Sequence, residues 1–77
     1  MTYFEVLKQV ENELKNITED YSFDSWCLFS EVFQMNKTQY VCNKNEKADE
    51  KLTNKLFELA EERKKGEPLQ YLIGKWN

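Results

Sequence analysis

Apolar residues step along this chain by threes and fours. Phe4, Leu7, Val10, Leu14 and Ile17 form one such series, and their spacing predicts an amphipathic helix from about Tyr3 to Asn16. Glu11 and Lys15 stand four apart on its polar side and are expected to pair. Thr18 to Ser22 is short and polar, a connection. Ser22 or Asp24 can then accept hydrogen bonds from the free amides that begin the next helix. Trp26, Phe29, Val32 and Phe33 share one face of that second helix, and Leu28 and Cys27 widen it. So broad an apolar face predicts the most buried helix of the fold.

Asn36-Lys37 breaks the pattern, and Thr38 to Cys42 is a short apolar patch. Tyr40 and Val41 favour a strand, but the sequence offers no second strand to pair with, so one or two helical turns are expected. Asn43 to Glu46 is polar connection. The longest predicted helix runs from about Ala48 to Lys65, with Leu52, Leu56, Leu59 and Ala60 on one stripe and Phe57 beside it. Its basic last turn, Arg63-Lys64-Lys65, offsets the negative end of the helix dipole, and Gly66 suits the left-handed position that closes it. Pro68 suits the first position of another helix, since it has no amide hydrogen to leave unpaired. Leu69, Leu72 and Ile73 give that helix an apolar side, and Gly74 is expected to stop it. The fold class is therefore all-α, a small bundle of four to five short helices in one domain spanning residues 1–77.

Composition narrows the function more than the fold. A chain of 77 residues buries only roughly 60% of its unfolded surface, yet 40% apolar residues supply a core. The net charge of −3 leaves no basic excess to neutralise phosphates, which argues against nucleic acid as a partner. The longest unbroken apolar run is Trp26-Cys27-Leu28-Phe29, far short of the ~20 residues of a membrane span. The N-terminal residues lack the basic and apolar regions of a secretory signal, so Cys27 and Cys42 are expected as free thiols of a cytoplasmic protein, each in an apolar and inert setting.

Catalytic chemistry is scarce. Histidine is absent, which removes the usual general base and a Ser-His or Cys-His nucleophile. Gly66 and Gly74 are the only glycines and cannot build a glycine-rich nucleotide loop. Two cysteines in different helices make no zinc site. Glu58, Glu61 and Glu62 lie among lysines and read as solvated surface. No catalytic, cofactor-binding or metal-binding residue is assigned. Arg63 to Lys65 can dock an acidic partner, although a basic last turn is also the ordinary way to cap a helix. Tyr71 is expected to pack in the core, whereas Trp76 stands beyond the last stop signal. The chain halts one residue later with no polar tail, so it reads as the front piece of something longer.

The tail Arg63-x-x-Gly66-Glu67-Pro68-Leu69-x-Tyr71-Leu72-x-Gly74 resembles the segment that closes the N-terminal domain of the HemK/PrmC protein-(glutamine-N5) methyltransferases. The family pattern is a basic helix end, Gly-Glu-Pro, an apolar residue, Tyr or His, an apolar residue and Gly, with an aromatic a few residues later where Trp76 stands. Asp24-Ser25-Trp26-Cys27-Leu28-Phe29 fills the place of the family's Asp-Ala-x-x-Leu-Leu, and Ala48-Asp49-Glu50 lies where its long helix begins. Trp26 and Phe29 are bulkier than the common aliphatics, which demands a repacked core. Glu62 precedes Arg63 where the family often has a second arginine.

The resemblance implies a helical domain that helps recognise class I peptide chain release factors. A separate C-terminal domain of the parent protein would bind S-adenosylmethionine and methylate the glutamine of the release factor's Gly-Gly-Gln loop. Its Asp-x-Gly-x-Gly and Asn-Pro-Pro-Tyr motifs do not occur here, so this chain alone is expected to bind no cofactor and to transfer no methyl group. On this reading Arg63, Lys64, Lys65, Glu67 and Tyr71 are the candidate partner contacts. Trp76 is the candidate interdomain residue, with residues 75–77 beginning the connection. The alternative is a free-standing helical adaptor for protein–protein interaction.

Overall fold

The structure, a computed structural model, describes the backbone of residues 1–76 and the side chains of residues 1–74. The interdomain role expected of Trp76 and of residues 75–77 therefore falls outside the described side chains. Five helices form among the described residues: α1 (Tyr3–Leu14), α2 (Tyr21–Phe33), α3 (Lys37–Asn43), α4 (Glu50–Lys64) and α5 (Leu69–Trp76). This is the all-α bundle that the spacing predicts, without a strand in the described residues; a single isolated bridge joins Thr2 and Lys47. Among the described residues no helix is long and apolar enough to cross a membrane.

Local chemistry accounts for most helix starts. Thr2 accepts from the Glu5 amide while the Glu5 carboxylate accepts from the Thr2 amide, a reciprocal box that satisfies two free donors at the head of α1. Asn36 and Gln39 repeat the arrangement at α3, and Asp49 caps α4 through the Leu52 amide. At α2 the expectation fails: Asp20 is the flanking residue and makes no capping bond through its side chain. Ser22 and Asp24 both lie inside the helix, and Asp24 is buried for another purpose.

Helix ends also shift. The first helix stops at Leu14, not Asn16, because the Ile17 and Thr18 amides both turn back onto the Leu14 carbonyl. Glu11 pairs with Lys8 at 3.2 Å, one turn back, and not with Lys15 as expected. Pro68 stands one position before α5, where its carbonyl accepts from the Leu72 amide. Gly74 does not stop that helix, which continues to Trp76.

α1, α2 and α4 pack mutually, and α5 lies against α2 and α4. The core joins Val6, Leu7, Val10 and Leu14 of α1 to Leu28, Phe29 and Val32 of α2, Leu56, Leu59 and Ala60 of α4, and Leu72 of α5. Burying each such aliphatic or aromatic side chain contributes roughly 1.5–3 kcal/mol before entropy is charged against it. The expected stripe of α1 is rotated by part of a turn: Phe4 and Ile17 are exposed, and Val6 is fully buried in their stead. Phe29 is the largest wholly buried side chain, ringed by Tyr3, Trp26, Phe33 and Tyr40 at centroid distances of 4.9–6.2 Å. This aromatic nest is how the core absorbs the bulk of Trp26 and Phe29.

Candidate functional site

The candidate residues gather at the corner where α4 ends and α5 begins, and backbone hydrogen bonds fix that corner. Gly66 adopts φ +102°, beyond the reach of most side-chain-bearing residues, although a Cβ there would meet nothing within 4 Å. Its amide donates to the Arg63 carbonyl at 3.0 Å, and the Glu67 amide donates to the Glu62 carbonyl at 3.2 Å. These are the two bonds of a Schellman closure, so the glycine ends α4 as its position predicts. The chain then passes through Pro68 into α5.

The basic turn divides into two roles. Arg63 Nε donates to Asp24 Oδ2 at 3.1 Å, with the two side chains 20% and 9% exposed. Lys64 Nζ donates to Glu13 Oε2 at 2.6 Å and to Glu61 Oε1 at 3.1 Å. The hydrogen bond from Lys64 holds the Glu13 carboxyl below its ordinary range, and the bond to Glu13 raises the Lys64 ammonium in turn. Both cations thus tie α4 to its neighbours, Arg63 to α2 and Lys64 to α1. Lys65, Glu67 and Tyr71 are exposed beside them, Tyr71 by 55%. Tyr71 is therefore not the core residue that the helical pattern suggested. Leu72, next to it, takes the inward position and is fully buried.

The sequence reading missed the contact that organises this corner. Asp24 and Arg63 lie 39 residues apart, and an aspartate in a first helical turn reads as a cap. The available signal was their shared membership in the two resemblance segments. Ser25, beside Asp24, is fully buried with a hydroxyl that has no hydrogen-bond partner. Cys27 is half-buried, its thiol pushed up by burial and by the nearby Asp24 charge. Cys42 is exposed, contrary to the apolar setting expected for it. Among the described residues no three His, Cys, Asp or Glu side chains converge as a metal site. What the corner presents to solvent is an ammonium, a carboxylate and a phenol, on Lys65, Glu67 and Tyr71.

Comparison with known proteins agrees with the architecture. The family described as the PrmC N-terminal domain matches residues 5–74. A release factor glutamine methyltransferase of Haemophilus influenzae is 36% identical over 76 residues, covering 96% of this chain. The chain spans 26% of that relative's length. No solved structure matches. With nearly every described residue inside one family match, the chain belongs to the PrmC N-terminal domain family.

Proposed function

We propose that this domain is the release-factor-recognition part of a release factor glutamine methyltransferase, and that the α4–α5 corner carries the contact. The observation that supports the reading best is the similarity, over 96% of the chain, to a relative with that name. In the parent protein a C-terminal domain would bind S-adenosylmethionine and transfer the methyl group to the glutamine of the Gly-Gly-Gln loop in the cytoplasm. This domain would hold the release factor against it. Positioning of that kind lowers a barrier without any reacting group on the domain itself.

The corner supports a division of labour among the candidate residues. Arg63 and Lys64 are engaged within the bundle and shape the corner. Lys65, Glu67 and Tyr71 are exposed, as a partner contact requires. An exposed tyrosine beside a charge of each sign fits the pattern of an interface anchor with a polar rim.

The test is steady-state methylation by a parent enzyme carrying this domain. Lys65→Ala with Tyr71→Ala is expected to raise KM for the release factor roughly three- to tenfold, leaving KM for S-adenosylmethionine and the melting temperature unchanged. Arg63→Ala is expected to lower the melting temperature. Unchanged KM for the release factor in the Lys65/Tyr71 double variant would remove the corner from the contact, and binding elsewhere on the domain would then be sought by cross-linking.

A further inference from the structure

α3 differs from every other helix of the bundle. It contains no buried residue, and it is absent from the helix pairs that pack against one another. Its grip on the bundle is narrow. The Tyr40 ring meets Phe29 at 5.4 Å and Trp26 at 5.7 Å, and the Lys37 ammonium lies 4.2 Å from the Trp26 ring centre. Val41 is 64% exposed, beside exposed Cys42.

The two ends of this segment are built differently from its middle. At one end Gln34 takes a left-handed conformation, φ 54° and ψ 52°, and ends α2 abruptly. The Met35 amide donates to the Ser30 carbonyl and the Ser30 hydroxyl donates back to the Met35 carbonyl, which pins the turn to α2. At the other end the Lys44 and Glu46 carbonyls accept from the Phe4 and Tyr3 amides, and the Ala48 amide donates to the Met1 carbonyl. Both footings are thus fastened by backbone hydrogen bonds, whereas the span between them rests on one ring and one ammonium.

We propose that residues 36–43 form a strap over the aromatic nest of α2, which lifts as a unit while α1, α2, α4 and α5 remain packed. Lifting turns the chain at Gln34–Met35 and at Asn43–Lys44, breaks the Tyr40 and Lys37 contacts, and uncovers Trp26 and the edge of Phe29. A segment with few buried apolar contacts and an exposed helix surface belongs to the low-stability end of the local unfolding spectrum. The core helices lose only the packing of the half-buried Tyr40 ring when it opens, since no fully buried residue resides on α3. The inference is independent of the release-factor reading.

Native-state hydrogen exchange on the 77-residue chain tests it, read by NMR over a series of low denaturant concentrations. The helical amides of α3, Tyr40 to Asn43, are expected to exchange at least about tenfold faster than those of Val10, Leu56 and Leu59, with little denaturant dependence. Tyr40→Ala is expected to accelerate α3 exchange further while the core amides keep their protection. Exchange of the α3 amides at the rate and denaturant dependence of the Leu56 amide would overturn the proposal, because α3 would then open only with the whole bundle. The wild-type measurement decides the matter even if Tyr40→Ala fails to fold.

Discussion

Ser25 is the residue whose chemistry fits its surroundings least well. Its side chain is wholly inside the bundle, and its hydroxyl finds no hydrogen-bond partner. Taking a hydroxyl out of water without replacing its hydrogen bonds costs about 1–3 kcal/mol. Alanine removes that cost, fills most of the same space and favours the helix more strongly. Ser25→Ala is therefore expected to raise stability by about 1 kcal/mol, read as a higher midpoint in urea with an unchanged slope. Gly66 is the opposite case, a residue for which alanine is wrong although there is room for it. Only the backbone angle objects, since a Cβ would touch nothing but φ stands at +102°. Gly66→Ala is expected to cost about 1–2 kcal/mol and to loosen the α4–α5 corner. A drop in midpoint well below that range would mean the corner had found another closure.

Helices reveal themselves in sequence to different degrees. α4 was the most readable, because its basic final turn, closing glycine and the Leu56, Leu59 and Ala60 stripe follow local rules, although it starts at Glu50 and buries Thr53 more deeply than Leu52. α3 was readable as a short helix by elimination, and the Asn36–Gln39 box that starts it is itself a legible pattern. α1 was readable as a helix but not in rotation. Phe4 and Ile17 fit the apolar period, yet Val6 went inside, because the two helices packed on α1, α2 and α4, and not the period decide which arc is covered. Gly74 had the look of a stop, yet α5 passes through it to Trp76. Glycine lowers helix stability without forbidding a helix, so packing of Leu72 and Ile73 prevails. The candidate site was half legible. Local sequence named the basic turn, but it read Tyr71 as a core residue, and which cations would be consumed by Asp24 and Glu13 depended on contacts across the fold.

At the scale of the whole molecule, three ion-paired or capped carboxylates and cations link stability to pH. Glu13, bonded by Lys64, and Glu5, bonded by the Thr2 amide, both sit below the ordinary value of 4.5. A depressed carboxyl contributes fully above that value and loses its contribution as pH falls through the lowered one. Lys64 sits above the ordinary 10.5, so its contribution is complete below 10.5 and fades as pH climbs through the raised value. Stability from these groups should be flat in between. Melting curves below pH 4.5 should show Glu13→Gln losing less on acidification than the wild type, and an identical acid limb would discount the Lys64 bond. The N-terminal seam also has a consequence for synthesis. The first amides of α1 find their partners at Lys44 and Glu46, and Met1 finds its partner at Ala48. A ribosome adding about 5–20 residues per second therefore leaves the front of α1 unfinished for roughly 2–9 seconds. The helix made first is thus sealed only once the chain has reached Ala48, so a nascent-chain chaperone would meet its frayed end until then.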